Sequence, residues 1–119
     1  MSFVLYKGPR VVKGWPVSIA VAIDGGNVQS NKVALDLTLY PKVDYDAKVA
    51  SLKNENSTDV DGEMLKQIVV GWSDVVDETG APVTFSSESL ADLIAMQSAR
   101  EAIFTAYYDA VSGKAAEKN

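Results

Sequence analysis

Residues 68–85 read IVVGWSDVVDETGAPVTF, and the reading of this stretch decides the fold. An apolar helical run, Met64, Leu65, Ile68 and Val69, arrives at Gly71-Trp72. Two short β-like pieces follow, Val75-Val76 and Pro82-Val83-Thr84-Phe85, separated by the turn signal Asp77-Glu78-Thr79-Gly80. A helix, a small hairpin or loop, and a new helix starting at Ser86 describe a compact α+β domain. Nothing in the stretch is a catalytic or ligand-binding motif.

Upstream, Pro16–Ile23 alternates with period 2: Val17, Ile19, Val21 and Ile23 fall on one face, Ser18, Ala20 and Ala22 on the other. Asp24-Gly25-Gly26-Asn27 is turn chemistry, and Lys32–Tyr40 alternates again with Val33, Leu35, Leu37 and Leu39 together. This predicts a β-hairpin. Its second face (Ala20, Ala22, Ala34, Asp36, Thr38) is only half polar and is open to partial cover. A two-stranded hairpin is marginal alone, so it must pack on helices or pair an edge with another subunit. Asp24-Gly25-Gly26-Asn27 has neither the spacing nor the following helix of a phosphate-binding loop.

Before the hairpin, residues 1–14 read as a mobile arm with one short strand over Phe3–Tyr6. After it, Tyr45, Val49 and Leu52 form the apolar stripe of a short helix over 43–52. Residues 53–58 are a polar joint. Ser57–Gly62 resembles the start of a calcium loop, but in that register Ile68 stands where the bidentate glutamate is required. Thr58, Asp59 or Asp61 reads instead as the cap of a helix over 60–70, ended by Gly71. Trp72 is a core anchor or an exposed contact for a partner. Ser86 is a good N-cap, with Phe85 and Leu90 at hydrophobic-staple spacing, for a helix over 87–96. Ser98 with Glu101 has capping-box spacing, predicting a restart there. The last helix carries Ile103, Phe104, Tyr107, Tyr108 and Val111. Its two adjacent tyrosines point into neighbouring sectors, so only one ring is expected to be fully buried. Gly113 ends that helix and 114–119 read as a disordered tail. The expected architecture is one α+β domain over 1–119: an N-terminal hairpin of two or three antiparallel strands packed with about four helices.

Composition narrows function. With 119 residues, 47% of them hydrophobic and 23% charged, the chain suits one globular domain. It has neither cysteine nor histidine, which excludes disulfides, thiolate or imidazole metal sites, and Ser-His or Cys-His nucleophiles. Pairs such as Asp74 with Asp77 or Asp59 with Asp61 are ordinary turn and cap acids, so no enzyme, cofactor or metal is expected. No apolar run is long enough to span a membrane, and no signal peptide is visible. The net charge of −5 makes nucleic acid an unexpected partner. That charge is uneven: residues 1–42 carry five Lys/Arg against two Asp, and residues 43–119 six against fourteen acids. The asymmetry serves solubility, or else head-to-tail self-association or capture of a basic partner.

The order Val70-Gly71-Trp72-x-x-Val75-x-Asp77-x-x-Gly80-x-Pro82-Val83-x-Phe85-Ser86 resembles the tail assembly chaperones of long-tailed, lambda-like bacteriophages. The likeness continues through the Leu-rich helix Leu90–Met96, the Ala106-Tyr107 pair and the terminal Lys118-Asn119, and covers roughly residues 60–119. It implies a non-catalytic late protein of the host cell cytoplasm, absent from the mature virion, that forms homo-oligomers. It further implies binding to the tape measure protein, recruitment of tail tube protein, and a programmed −1 frameshift giving an extended product. Trp72, Phe85, Tyr107 and Tyr108 are the candidate partner-binding residues. The alternative is a small structural tail protein retained in the virion.

Overall fold

The computed structural model describes residues 2–116 and is an α+β fold. Its elements are β1 (Arg10–Ile23), β2 (Asn27–Leu39), α1 (Lys42–Asn54), α2 (Val60–Ile68), β3 (Val69–Ser73), α3 (Ser87–Ile94) and α4 (Gln97–Val111). The three strands form one antiparallel sheet in the order β1-β2-β3.

The hairpin forms where the alternation predicts it, but its strands are longer: β1 already starts at Arg10, inside the stretch 1–14 expected as an arm, because Arg10–Val12 pair with Leu37–Leu39, and β2 starts at Asn27. Gly25 (φ 79°) and Gly26 (φ 80°) make the turn, a left-handed conformation that costs little without a Cβ. The register pairs Ile23 with Asn27 and Val17 with Val33. Val17, Ile19, Leu35, Leu37 and Leu39 bury their side chains on one face. The core does not extend to the tip: from Ala20 to Asn31 no residue is buried. The end of the hairpin therefore stands away from the body. On the opposite face Ala34, Asp36 and Thr38 are half-buried while Ala20 and Ala22 are exposed, so cover is partial and confined to the base.

The third strand departs from the sequence reading. The helix expected over 60–70 stops at Ile68, and Val69 and Val70 turn into β3. Gly71 is therefore a strand residue, not a helix cap. It pairs with Asp36, whose carboxylate lies against it: a Cβ at Gly71 would stand 2.6 Å from Asp36 Oδ2. The other oxygen, Oδ1, accepts the Gly14 N–H at 2.9 Å, tying the irregular part of β1 to the sheet.

The helices close one face of that sheet. Along α4, Ala99, Ile103, Ala106, Tyr107 and Ala110 are buried at helical spacing. The small alanines let the helix axis approach the sheet. In α2, Met64, Leu65 and Ile68 are buried, and in α3 Leu90 and Ile94. Ser86 caps α3 as expected, and its box partner is Ser89: each side chain takes the other's backbone N–H. The box expected at Ser98 and Glu101 does not form. Helix α4 starts at Gln97 behind Met96, which offers no capping oxygen, and α3 ends at Ile94. The stripe of α1 is only half-buried, because α1 rests on the edge of the helical layer rather than between layers.

Around the turn at Asp77 the chain makes the expected small hairpin. Val83 N–H donates to Val75 O and Asp77 N–H to Ala81 O, both at 2.9 Å. The Asp77 carboxylate accepts from the Thr79 N–H, the Thr79 hydroxyl and the Ala81 N–H, which together hold its titration below the usual carboxylate range. Phe3–Tyr6, expected as a strand, forms none: it pairs with no strand among the described residues. The expected tail is irregular from Lys114 to Ala116, and its last three residues, like Met1, lie outside the described residues.

Candidate functional site

Where β2 ends, Tyr40-Pro41 turns the chain into α1, and α4 passes beside it. Between them lies a groove of about 540 Å³ lined by Tyr40, Pro41, Lys42, Tyr45, Asp46, Tyr107, Tyr108 and Val111. Four tyrosines converge there from three places in the sequence. The spacing of 107 and 108 on α4 sends one ring inward and one outward, as expected: Tyr107 is 2% exposed and Tyr108 56%.

The inner wall is fixed by hydrogen bonds. The Tyr107 hydroxyl accepts the Tyr40 N–H at 3.2 Å, and the Tyr40 hydroxyl donates to Gln67 O at 3.1 Å. Tyr45 stacks on Tyr107 with centroids 5.6 Å apart. Tyr108 meets Tyr107 edge-on at 6.1 Å and stacks on Phe104 at 6.5 Å. Burial raises the ionisation of Tyr40, Tyr45 and Tyr107 above the ordinary phenol value. These three phenols therefore stay neutral throughout the physiological range. At the mouth, Lys42 pairs with Asp46 at 2.9 Å, and the Lys48 ammonium sits 5.0 Å from the centre of the Tyr40 ring. The surface on offer is a trough of neutral aromatic faces with exposed Tyr108 and Val111 on its rim. This is the chemistry of a site that takes an apolar or amphipathic segment.

The four candidates from the sequence do not form one site. Tyr107 and Tyr108 line the groove. Trp72 and Phe85 lie elsewhere, in contact with each other edge-to-face at 5.0 Å. The Trp72 indole N–H donates to Val83 O at 2.9 Å, and both rings pack on the core. Trp72 thus anchors the small hairpin. The sequence reading missed Tyr40 and Tyr45 as groove residues: Tyr45 registered only as part of a helix stripe, and Tyr40 as the end of a strand.

Among the described residues, no group of three or more His, Cys, Asp or Glu is placed to hold a metal ion, and no helix is long and apolar enough to cross a membrane. Comparison with known protein families, with curated proteins and with solved structures returns no match.

Proposed function

We propose that this protein is a phage tail assembly chaperone that holds apolar helical segments of the tape measure protein in the tyrosine groove. It acts in the host cytoplasm without catalysis and helps bring tail tube subunits to its client. The observation that carries this reading is the groove itself, whose rim leaves Tyr108 and Val111 exposed beside a neutral aromatic floor. An aromatic trough of this kind accepts one face of an amphipathic helix through i, i+3 and i+4 anchors. Rigid tyrosines give contact area at small conformational cost. The net charge of −5 supports the same role, since a holder must stay soluble while it carries an apolar client. The order of residues from Val70 to Ser86 adds the resemblance on which the phage setting rests.

Co-expression with a tape measure protein tests the reading. Wild type is expected to raise the soluble fraction of the client. The double change Tyr108→Ser and Val111→Ser is expected to lower that fraction several-fold. Val43→Ser, at a residue more solvent-facing than either and outside the groove lining, is expected to change nothing. If the groove variant holds the client as well as wild type does, the groove assignment is wrong. Mass spectrometry of purified virions tests the setting: finding the chain there in stoichiometric amount replaces the chaperone reading with that of a structural tail protein.

A further inference from the structure

We infer that the N-terminal arm of one copy, Ser2–Tyr6, adds as a fourth strand to the outer edge of β3 in a second copy, so that copies associate head to tail. This contact uses no groove residue and does not rest on the chaperone reading.

The arm has an unmet need. Phe3, Val4, Leu5 and Tyr6 are four successive large apolar side chains, each between 61% and 89% exposed. A run of that kind on a surface is an error unless it binds something. Phe3, Val4 and Tyr6 are strand-favouring residues, and no strand among the described residues pairs with them. The root of the arm is directed: Gly8-Pro9 turns it off β1, and the Arg10 guanidinium lies 4.3 Å from the centre of the Tyr6 ring.

Among the described strands the sheet ends in β1 on one side and β3 on the other, and charge selects between them. From Met1 to Ile23 the chain carries Lys7, Arg10 and Lys13 and no acid. A basic arm approaching β1 of another copy meets its own charges again. Pro16 in that strand also removes a donor, and the register slips between Val12 and Trp15. Around β3 the sign is opposite. From Gln67 to Ala99 the chain carries Asp74, Asp77, Glu78, Glu88 and Asp92 and no Lys or Arg, and the flanking Lys66 and Arg100 are paired with Glu63 and Asp59. The β3 edge makes no backbone hydrogen bond to another segment among the described residues. Its five residues, Val69–Ser73, match the five of Ser2–Tyr6 in length, and exposed Val70 gives an apolar contact beside the added strand. Main-chain pairing supplies affinity, while the basic root against the acidic surround supplies orientation and selects the edge.

Because arm and edge are different surfaces, the contact is heterologous. One copy's arm engages a second copy, whose own arm remains free for a third, so association continues until a ring closes.

Sedimentation of the full chain over a range of concentrations tests this. Wild type is expected to associate, and to do so more weakly as salt rises past the range where surface charges are screened. Phe3→Ser with Leu5→Ser disables the arm, and Val70→Lys disables the edge by placing a positive charge on it. Each variant alone is expected to be monomeric. Their mixture is expected to form a one-to-one dimer and stop, since only one working arm and one working edge remain. A monomeric wild type, variants that associate like wild type, or a mixture that stays monomeric would each overturn the proposal. A photocrosslinker at Leu5 in an otherwise wild-type chain gives a second readout that needs no disabled variant. In a mixture of isotopically light and heavy copies, cross-links are expected between copies and onto β3. Cross-links confined to one chain overturn the proposal.

Discussion

Asp59 and Arg100, 41 residues apart, make a forked ion pair that joins three helices. The Asp59 side chain accepts the Gly62 N–H at 3.0 Å and so caps α2. The same carboxylate takes two bonds from the Arg100 guanidinium, at 2.8 and 2.7 Å. The Arg100 Nε donates to Ile94 O at the end of α3. One charge pair thus ties the start of α2 to the junction of α3 and α4. Gly62 makes room for it: a Cβ there would stand 2.2 Å from Asp59 Oδ2 and 3.0 Å from an Arg100 nitrogen. Asp59→Ala removes a cap and half of a forked pair, and is expected to cost about 1–2 kcal/mol in chemical denaturation. Gly62→Ala is expected to cost a similar amount even though alanine is the better helix former, because the carboxylate must leave its place. If Gly62→Ala stabilises the protein, the clamp is not formed. The guanidinium and the Gly62 N–H hold Asp59 well below the usual carboxylate range. Its folded value lies below its unfolded one. Its contribution is therefore complete above about pH 4, where the unfolded carboxylate ionises, and is lost as pH falls from there toward the folded value. Wild type is expected to lose stability over that window more steeply than Asp59→Asn. Parallel slopes would show that the pair does not titrate with folding.

At the scale of elements, the hairpin was legible because period-2 alternation states its own pairing, and α3 because Ser86 and Leu90 sit at cap spacing. The start of β3 was not. Val69 continues the apolar stripe of Met64, Leu65 and Ile68, and local sequence gives no reason to stop the helix there. What stops it is Leu35, Asp36 and Leu37, more than thirty residues earlier, which present a strand edge to pair with. Phe3–Tyr6 erred the other way: its residues favour a strand, but the partner a strand requires is missing from the chain's own sheet. The groove was half legible. Adjacent tyrosines on a helix stripe announced one inward and one outward ring, while the arrival of Tyr40 and Tyr45 beside them depends on how α1 docks. The core ends near Ile19 on the hairpin, and this carries an element-scale prediction. Deleting Val21 and Ala22 with their partners Gln29 and Val28 removes two residues from each strand, so the facing of those that remain is preserved. Because no residue of the tip is fully buried, the shortened protein is expected to keep its stability within about 0.5 kcal/mol of wild type. A loss several times larger would mean that the tip supports the body.

The whole molecule is more extended than its length requires. Its radius of gyration is 15.4 Å, against about 13.5 Å for a compact domain of this size. The excess belongs to parts that leave the core, the hairpin tip and the arm before Arg10. The groove between α1 and α4 and the edge of β3 share no residue, so the proposed holding of a client and the proposed joining of copies use separate surfaces. Their separation is measurable. Tyr108→Ser with Val111→Ser is expected to lower client solubility and leave the sedimentation of the free protein unchanged. Phe3→Ser with Leu5→Ser is expected to do the reverse at low client concentration, where each groove works alone. At high client-to-chaperone ratios the arm variant is expected to fall behind wild type as well. On the proposed function a long helical client would engage many grooves at once, and linked copies would hold it by avidity that single copies lack. If the arm variant performs as wild type at every ratio, self-association adds nothing to holding. If the groove variant also abolishes association, the two surfaces are coupled through α4 and are not independent.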